Sequence, residues 1–187
     1  MFASAPPPTA STLRTTGRLT ADEIDLRLRS VELVFFDFDG VFTDNRVAVD
    51  QNGVEQVFCC RSDGLGLSKL RRLGVDAMIV STERNPVVGV RAQKLAMDCV
   101  QGVEDKAETI GRLAFQRGVS LERTCFVGND VNDVAAMALC CLAITVADAW
   151  PEAYAAAHLV TTRRGGEGAV REICDVLVAA RGQGLSK

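Results

Sequence analysis

Residues 31–44, VELVFFDFDGVFTD, place two carboxylates directly after an apolar run. The continuous apolar segment 33–36 is typical of a strand buried on both faces of a parallel sheet. Gly40 lets the chain turn away sharply after the acidic pair. Because ligands bind at the carboxyl ends of strands in open α/β sheets, Asp37 and Asp39 are predicted to lie at a ligand site.

The composition indicates one globular domain whose partners are small molecules or metal cations. At 187 residues and 48% hydrophobic, the chain is long enough for one substantial core. A formal charge of -3 provides no basic surface for nucleic acid. No apolar run approaches the roughly 20 residues of a membrane span, and no signal-peptide core is present, so we expect a cytoplasmic protein without membrane contact. The seven cysteines lack C-x-x-C spacing and are expected to be free thiols.

Strand and helix patterns alternate along the rest of the chain, which predicts an α/β fold with a doubly wound parallel sheet. Residues 1–19, with three consecutive prolines, have the composition of a disordered tail. Residues 20–182 are predicted to form the single domain. Within it, residues 46–58 contain two β-rich runs around a turn at Asn52, which predicts a β-hairpin that projects from the edge of the sheet.

Further polar residues follow other predicted strands or begin a predicted helix. They are Ser81, Thr82, Lys106, Asn129, Asp130 and Asp133. The carboxyl ends of parallel strands share one edge of the sheet, so we expect these groups to lie near Asp37. Each has an ordinary alternative: Ser81 could be a strand-end hydroxyl, Asp130 a helix cap and Lys106 a solvated lysine. Asp133 is expected to hold its loop.

Together these groups favour phosphoryl transfer with Mg²⁺. This cation prefers oxygen ligands, so Asp37, Asp130 and the backbone carbonyl of Asp39 would suit it. The cation and Lys106 would offset the charge of a phosphate, and Ser81 would hydrogen-bond a phosphoryl oxygen. Asp37 is predicted to attack phosphorus and form an aspartyl-phosphate, while Asp39 protonates the leaving alcohol and later activates water.

In order and spacing, the same residues resemble the haloacid dehalogenase superfamily of phosphatases. The matching segments are DFDGVFT at 37–43, Ser81, Lys106 and GNDVND at 128–133. The interval from Asp39 to Ser81 leaves room for the hairpin, one helix and one strand, and the interval from Ser81 to Lys106 for one helix and one short strand. The resemblance therefore implies a Rossmann-like core of the capless subclass, with no inserted domain over the site.

Within this superfamily, the hairpin, residues 61–66 and residues 165–172 resemble phosphatases of 3-deoxy-D-manno-octulosonate 8-phosphate. They equally resemble domains that act on 9-phosphorylated nonulosonates or accompany acylneuraminate cytidylyltransferases. The resemblance implies a homotetramer in which hairpins pack together and a neighbouring subunit covers the open site. The candidate substrate-binding residues are Thr43, Arg61, Gly64 and Thr82.

Arg61 is the candidate for a substrate carboxylate, because a guanidinium group grips carboxylates with two bonds; the alternative is a surface arginine. Two positions depart from the family pattern. Asn129 stands where many relatives carry an acid. The stretch STER at 81–84 replaces the Thr-Gly-Arg common in octulosonate phosphatases, which moves the likeness toward the cytidylyltransferase-associated branch.

Two other classes of function compete with a sugar-acid phosphatase. One is a non-catalytic oligomerisation module that works beside an acylneuraminate cytidylyltransferase, and the complete set of candidate catalytic residues argues against it. The other is a phosphoacceptor signalling domain, which also uses an aspartate and a lysine. A separate Asp39, placed to hydrolyse the aspartyl-phosphate, argues against that class.

Overall fold

The computed structural model describes residues 13–182. Strands and helices alternate along most of this range, with a short hairpin inserted after the second strand. In chain order the elements are β1 (Arg14–Thr15), α1 (Ala21–Ser30), β2 (Leu33–Phe36), β3 (Ala48–Val49), β4 (Glu55–Gln56), α2 (Asp63–Arg72), β5 (Asp76–Val80), α3 (Val87–Leu95), β6 (Asp98–Val100), α4 (Lys106–Gln116), β7 (Thr124–Gly128), α5 (Val134–Leu139), β8 (Leu142–Thr145), α6 (Pro151–Ala156), β9 (Leu159–Val160) and α7 (Ala169–Gly182).

Seven strands form the main sheet in the order β1-β9-β8-β7-β2-β5-β6. All neighbouring strands are parallel except β1 and β9. The central strand β2 pairs with β5 and β7, and Phe36 lies opposite both Ile79 and Val127. The predicted doubly wound parallel sheet is therefore confirmed, and the acidic pair follows its central strand.

Successive side chains of β2 enter two separate apolar cores, one on each face of the sheet. Val34 and Phe36 belong to one core, whereas Leu33 and Phe35 belong to the other. All four are fully buried. This alternation follows from the two-residue period of a strand, and it explains why β2 reads as a continuous apolar run.

Helices α2 and α7 pack against each other on one face of the sheet, and a buried carboxyl group joins them. Asp63, 1% exposed at the start of α2, accepts a hydrogen bond from the backbone N–H of Arg171 in the first turn of α7. Its other oxygen has no hydrogen-bond partner within residues 13–182. Burial raises the pKa of Asp63 to about 6, against the opposing effects of the Arg171 N–H bond and nearby arginines.

The predicted hairpin is present, with strands of two residues each that form a separate small sheet. Its turn is held by the Asp50 carboxylate, which accepts hydrogen bonds from the N–H groups of Asn52 and Val54 at 2.8 and 2.9 Å. Val47, Val49 and Val54 on the hairpin are all more than half exposed. The hairpin projects from the fold as expected, and no further domain interrupts the described residues.

The prediction of a disordered tail over residues 1–19 is wrong for its last residues. Residues 1–12 lie outside the described residues, but Arg14 and Thr15 form β1, which pairs antiparallel with β9. Leu13 is 5% exposed within the core. A short edge strand exposes backbone N–H and C=O groups that need partners, and β1 supplies them to β9. The domain therefore begins several residues before position 20.

All seven cysteines lie in the described part of the chain as free thiols. Burial raises the pKa of the Cys140 thiol to about 12 and raises the pKa of Cys125 well above its ordinary value, which suppresses their ionisation. Within residues 13–182, no helix combines the length and the apolar composition that a membrane span requires.

Candidate active site

Asp37 and Asp39 lie where β2 ends, at the carboxyl edge of the sheet. The backbone N–H of Asp37 donates to the Val127 carbonyl at 2.9 Å, so Asp37 is still held by the neighbouring strand. The chain then turns at Gly40, whose φ is 76°. A Cβ there would lie 2.1 Å from Nδ2 of Asn129, so this turn requires glycine for both reasons.

Three buried side chains form a charge cluster at this edge: Asp37, Lys106 and Asp133. The Lys106 ammonium group lies 2.8 Å from Oδ1 of Asp37 and 2.6 Å from Oδ1 of Asp133. Their side chains are 1%, 7% and 0% exposed for Lys106, Asp37 and Asp133. Buried charges are tolerated only when they are paired, and one lysine here serves two carboxylates.

The charge cluster shifts the ionisation of its members. Burial and the negative charge of Asp133 raise the pKa of Asp37 to about 7, although Lys106 opposes both effects. Burial alone would lower the pKa of Lys106, but Asp37 and Asp133 together raise it, so Lys106 stays protonated. One cation does not fully compensate two buried carboxylates, and a second cation beside Asp37 would favour its ionised form.

Asp133 also fixes the loop that follows β7, as the sequence predicts. Its Oδ2 accepts hydrogen bonds from the N–H groups of Asn129 and Asp130 at 2.8 and 3.2 Å. A Cβ on Gly128 would lie 2.5 Å from the Asp133 side chain, so glycine lets this carboxylate approach the backbone. The contact between Asp133 and Lys106 gives the residue a second role that sequence reasoning missed.

The residues expected to hold Mg²⁺ fit that cation. Asp37 and Asp130 follow adjacent strands, and the Asp39 carbonyl belongs to the same edge. The Oδ1 atom of Asn129 is buried without a hydrogen-bond partner within residues 13–182, and a cation or its bound water would satisfy it. No three His, Cys, Asp or Glu residues in that range are grouped as a metal site. Mg²⁺ does not need such a group, because it commonly uses one or two carboxylates and keeps several waters.

Ser81 and Thr43 are both buried, at 1% and 0% exposure. The Ser81 hydroxyl lies at the end of β5 and accepts a hydrogen bond from the Glu83 N–H at 3.1 Å. The Thr43 hydroxyl accepts from the Gly40 N–H at 3.1 Å and donates to Asp39 at 3.4 Å. The Thr43 hydroxyl also accepts a hydrogen bond from the Asn45 N–H at 3.2 Å, so in the structure Thr43 holds the Asp39 loop.

The other candidate substrate-binding residues are not part of the charge cluster. Thr82 is exposed immediately after Ser81, and Arg61 is exposed just before α2. Gly64 lies in the first turn of α2 and is partly buried, where a Cβ would meet the Leu95 side chain at 3.3 Å. The structure does not join these three residues to the charge cluster, and their contact with substrate remains a prediction.

A cavity lies between Asp39 and the hairpin, and we call it the hairpin cavity. Its volume is about 280 Å³, close to the lower end of the range for small-molecule sites. It is lined by Asp39, Asn45, Arg46, Val47, Glu55, Val57, Glu83, Asn85 and Val87. Burial, and then the charge of Glu83, raise the pKa of Asp39, while the Thr43 hydrogen bond and Lys106 oppose the rise. Sequence reasoning missed Glu55, Glu83 and Asn85 as cavity residues.

The loop before α7 packs directly on the turn that carries Asp39. A Cβ on Gly165 would lie 1.8 Å from the Gly40 carbonyl oxygen, and one on Gly166 would lie 2.4 Å from the Asp44 nitrogen. The Gly166 N–H donates to the Val41 carbonyl at 3.1 Å. These glycines permit backbone-to-backbone contact that any side chain would prevent.

The parallel sheet, with its paired acids, buried lysine and strand-end hydroxyl, has the arrangement of a phosphoryl-transfer hydrolase. Residues 79–173 match the family model of the haloacid dehalogenase-like hydrolases. The chain belongs to this family, which confirms the predicted resemblance.

Two curated relatives indicate a more specific class of enzyme within this family. The 3-deoxy-D-manno-octulosonate 8-phosphate phosphatase KdsC of Yersinia pestis is 32% identical over 162 residues, which cover 86% of this chain and 87% of the relative. KdsC of Escherichia coli strain K12 is 30% identical over 168 residues, 89% of each chain. The expected enzyme class, a phosphoric monoester hydrolase, is confirmed by these matches.

A solved structure gives the same result for the fold. The 3-deoxy-D-manno-octulosonate 8-phosphate phosphatase of Moraxella catarrhalis, in complex with a magnesium ion, a phosphate ion and KDO, superposes with a TM-score of 0.84 at 28% identity. The match covers 88% of this chain and 95% of that one. It confirms the capless fold, and its magnesium ion agrees with the Mg²⁺ cofactor expected from the sequence.

Proposed function

We propose that this protein is a Mg²⁺-dependent phosphatase that hydrolyses the phosphomonoester of a sugar acid through an aspartyl-phosphate. The substrate is of the 3-deoxy-D-manno-octulosonate 8-phosphate or nonulosonate 9-phosphate type. The observation that carries the proposal is the buried pairing of Lys106 with Asp37 at 2.8 Å, directly after the central strand. The names of the curated relatives support the substrate class.

Asp37 is the proposed nucleophile. Its carboxylate contacts Lys106, and its backbone N–H is bonded to the Val127 carbonyl, so the side chain is presented in one orientation at the carboxyl edge. Lys106 remains protonated and offsets negative charge on the phosphoryl group. The Ser81 hydroxyl, oriented by its bond from the Glu83 N–H, donates to a phosphoryl oxygen. Mg²⁺ held by Asp37, Asp130 and the Asp39 carbonyl would supply further charge neutralisation.

Asp39 is the proposed acid and base. It is only partly buried, and its raised pKa favours the protonated form that can donate to the leaving alcohol. After the alcohol departs, the Asp39 carboxylate takes a proton from the water that attacks the aspartyl-phosphate. Thr43 holds this carboxylate through its hydroxyl, which keeps the same group in reach of both steps.

The active form is proposed to be a cytoplasmic homotetramer. The hairpin exposes Val47, Val49 and Val54 by 51, 60 and 53%, and Phe58 beside it by 71%. A two-stranded hairpin gains stability when other chains cover it, and a site without a cap domain needs another surface to exclude water. Within such an assembly Arg61, Gly64 and Thr82 are proposed to contact the substrate. Sedimentation of a stable monomer at assay concentration would exclude this assembly.

Phosphate release tests the function. Purified protein with Mg²⁺ is assayed against 3-deoxy-D-manno-octulosonate 8-phosphate, an acylneuraminate 9-phosphate and unrelated sugar phosphates. We expect turnover of a sugar-acid phosphate, its loss on chelation and its return on addition of Mg²⁺. Asp37→Asn should lower kcat at least a thousandfold, because the nucleophile is removed, whereas Asp22→Asn on exposed α1 should change nothing.

A second variant separates the two carboxylates. Asp39→Asn should slow hydrolysis of the intermediate, so that phosphate from labelled substrate remains bound to the protein after denaturation. Asp37→Asn should trap no label. Full turnover by Asp37→Asn, or no phosphate release from any substrate, would contradict the proposal and leave the oligomerisation module as the better description.

A further inference from the structure

The loop between β9 and α7, residues 161–168, supports the turn that carries Asp39, and we call it the α7 loop. Strand β9 ends at Val160, so the backbone N–H groups of Thr162 and Arg163 lie beyond the sheet. Backbone donors that leave a sheet need other partners. The position of the α7 loop therefore depends on the groups that supply those partners.

Glu172, in the first turn of α7, binds the beginning of the α7 loop. Its carboxylate accepts hydrogen bonds from the Thr162 N–H at 3.1 and 3.2 Å, the Thr162 hydroxyl at 2.7 Å and the Arg163 N–H at 3.1 Å. Glu172 is only 8% exposed. Hydrogen bonds to an ionised acceptor are stronger than neutral ones, so this carboxylate joins the loop firmly to the helix.

Asp148, in the segment after β8, binds the middle of the α7 loop. Its Oδ1 accepts from the Gly165 N–H at 2.9 Å, and its Oδ2 lies 3.2 Å from Nε of Arg164. The Ala147 N–H also donates to the Arg163 carbonyl, at 3.2 Å. The Asp148 side chain is 28% exposed, so this attachment is weaker than the one that Glu172 provides.

The α7 loop reaches the Asp39 carboxylate through Thr43. A Cβ on Gly165 would lie 3.0 Å from the Thr43 carbonyl oxygen, and one on Gly166 would lie 2.6 Å from the Thr43 carbonyl carbon. The Thr43 hydroxyl in turn donates to Asp39 at 3.4 Å. A shift of the α7 loop would therefore move Thr43 and the Asp39 carboxylate, whereas the contact of Asp37 with Lys106 would stay in place.

We propose that Glu172 is a positioning residue for the reaction, because it holds the α7 loop against Thr43 and so fixes the place of the Asp39 carboxylate. Asp148 has the same role to a smaller degree. This inference rests on the proposed function and deepens it. A group that donates a proton in the transition state loses much of its effect when it is displaced by about 1 Å.

A double-mutant cycle in the full chain tests the inference. The measurement is single-turnover consumption, with Mg²⁺ and excess protein, of 3-deoxy-D-manno-octulosonate 8-phosphate or an acylneuraminate 9-phosphate, whichever the wild type consumes faster. Glu172→Gln replaces one accepting oxygen by an NH₂ group and should slow consumption about tenfold. In the Asp39→Asn background the same substitution should change the rate less than about twofold, because the group that it positions is already removed.

Two further variants make the comparison specific. Glu167→Gln removes the same charge from an exposed residue of the α7 loop, and it should leave the rate unchanged. Asp148→Ala releases the middle of the loop from a partly exposed position. It should slow consumption about threefold in the wild-type background and leave the rate of Asp39→Asn unchanged, and it decides the question if Glu172→Gln does not fold.

The outcomes separate the inference from the function on which it rests. Equal slowing by Glu172→Gln in both backgrounds would show that Glu172 supports only the fold. An unchanged rate in a folded Glu172→Gln protein would also overturn the inference, while the phosphatase activity stands. If the wild type consumed neither sugar-acid phosphate, the proposed function itself would fail, and the inference with it.

Discussion

The charge cluster and the hairpin cavity contain the same kinds of groups in opposite surroundings. In the charge cluster, Lys106 contacts two carboxylates whose side chains are at most 7% exposed. In the hairpin cavity, Glu55 is exposed and the Arg46 side chain is 84% exposed. Burial fixes the charge cluster, because the loss of any partner would leave a buried charge unpaired. The exposed groups of the hairpin cavity can change charge with little cost to folding.

This difference teaches where each part of the proposed activity resides. Removing one partner from a buried ion pair typically costs about 3–5 kcal/mol, whereas exposed pairs contribute about 0–1 kcal/mol. The proposed phosphoryl-transfer step uses the buried ion pairs of the charge cluster. Exposed groups can be exchanged at little cost to folding.

The largest effect is expected from Lys106→Met, which leaves Asp37 and Asp133 buried without their cation. We expect it to lower the free energy of unfolding by about 3–5 kcal/mol and to abolish phosphate release. The matched control is Lys69→Met, since Lys69 pairs with Asp175 at 2.6 Å but is 43% exposed. Urea denaturation of both variants makes the comparison. Similar losses in the two variants would show that burial does not distinguish these pairs.

Gly165→Ala should have the next largest effect. The added methyl group would meet the Gly40 carbonyl oxygen at 1.8 Å, and backbone cannot move aside as a side chain can. We expect a loss of about 3 kcal/mol in thermal unfolding and reduced kcat, because the Asp39 turn must shift. Gly111→Ala within α4, where a Cβ meets nothing within 4 Å, should instead stabilise by about 0.5–1 kcal/mol. A neutral Gly165→Ala would contradict the backbone contact.

Asp63→Asn tests burial of a carboxylate that has no cation as its direct partner. The pKa of about 6 lies above the ordinary 3.8, so folding takes up a proton between these values. The stabilising contribution of Asp63 is therefore full below 3.8 and is lost as the pH rises through 6. Asparagine cannot ionise and still accepts the bond from the Arg171 N–H.

The asparagine variant should accordingly be more stable than wild type by roughly 2–3 kcal/mol at pH 7.5, and by less than about 1 kcal/mol at pH 4. Urea midpoints at the two pH values measure this difference. A stability difference that does not change with pH would indicate that Asp63 is already neutral or fully solvated.

The smallest effect on folding is expected from Val49→Thr on the hairpin. Val49 is 60% exposed, so the free energy of unfolding of the subunit should change by less than about 0.5 kcal/mol. Its sedimentation should shift toward smaller species, because the hairpin is proposed to pack against other subunits. Val90→Thr on α3, with 65% exposure at a distance from the hairpin in sequence, is the control and should leave assembly unchanged.

The sequence allowed the fold and the charge cluster to be predicted for a common reason. Apolar runs such as that of β2 indicate buried strands. In a parallel sheet the carboxyl ends of these strands then lie along one edge. The proximity of Asp37, Asp39 and Lys106 could therefore be predicted before any interatomic distance was known. The contact of Lys106 with Asp133 was missed, because Asp133 already had a sufficient role in its own loop.

Other features carried no local signal. Strand β1 has two residues, and its pairing with β9 depends on a remote edge that needs hydrogen bonds. Glu55 and Glu83 meet in the hairpin cavity because the hairpin folds toward the loop after β5, and neither segment has a pattern that specifies this angle. Glu83 could be recognised only as a departure from the family, without its position in the cavity.

The contact of Gly165 and Gly166 with the Asp39 turn also bears on when the protein can become active during its synthesis. The reactive carboxylates emerge early from the ribosome, but the backbone that supports their turn is made long afterwards, just before α7. A nascent chain therefore carries the nucleophile without a finished site. We therefore expect catalysis only after the chain has been synthesised past these glycines.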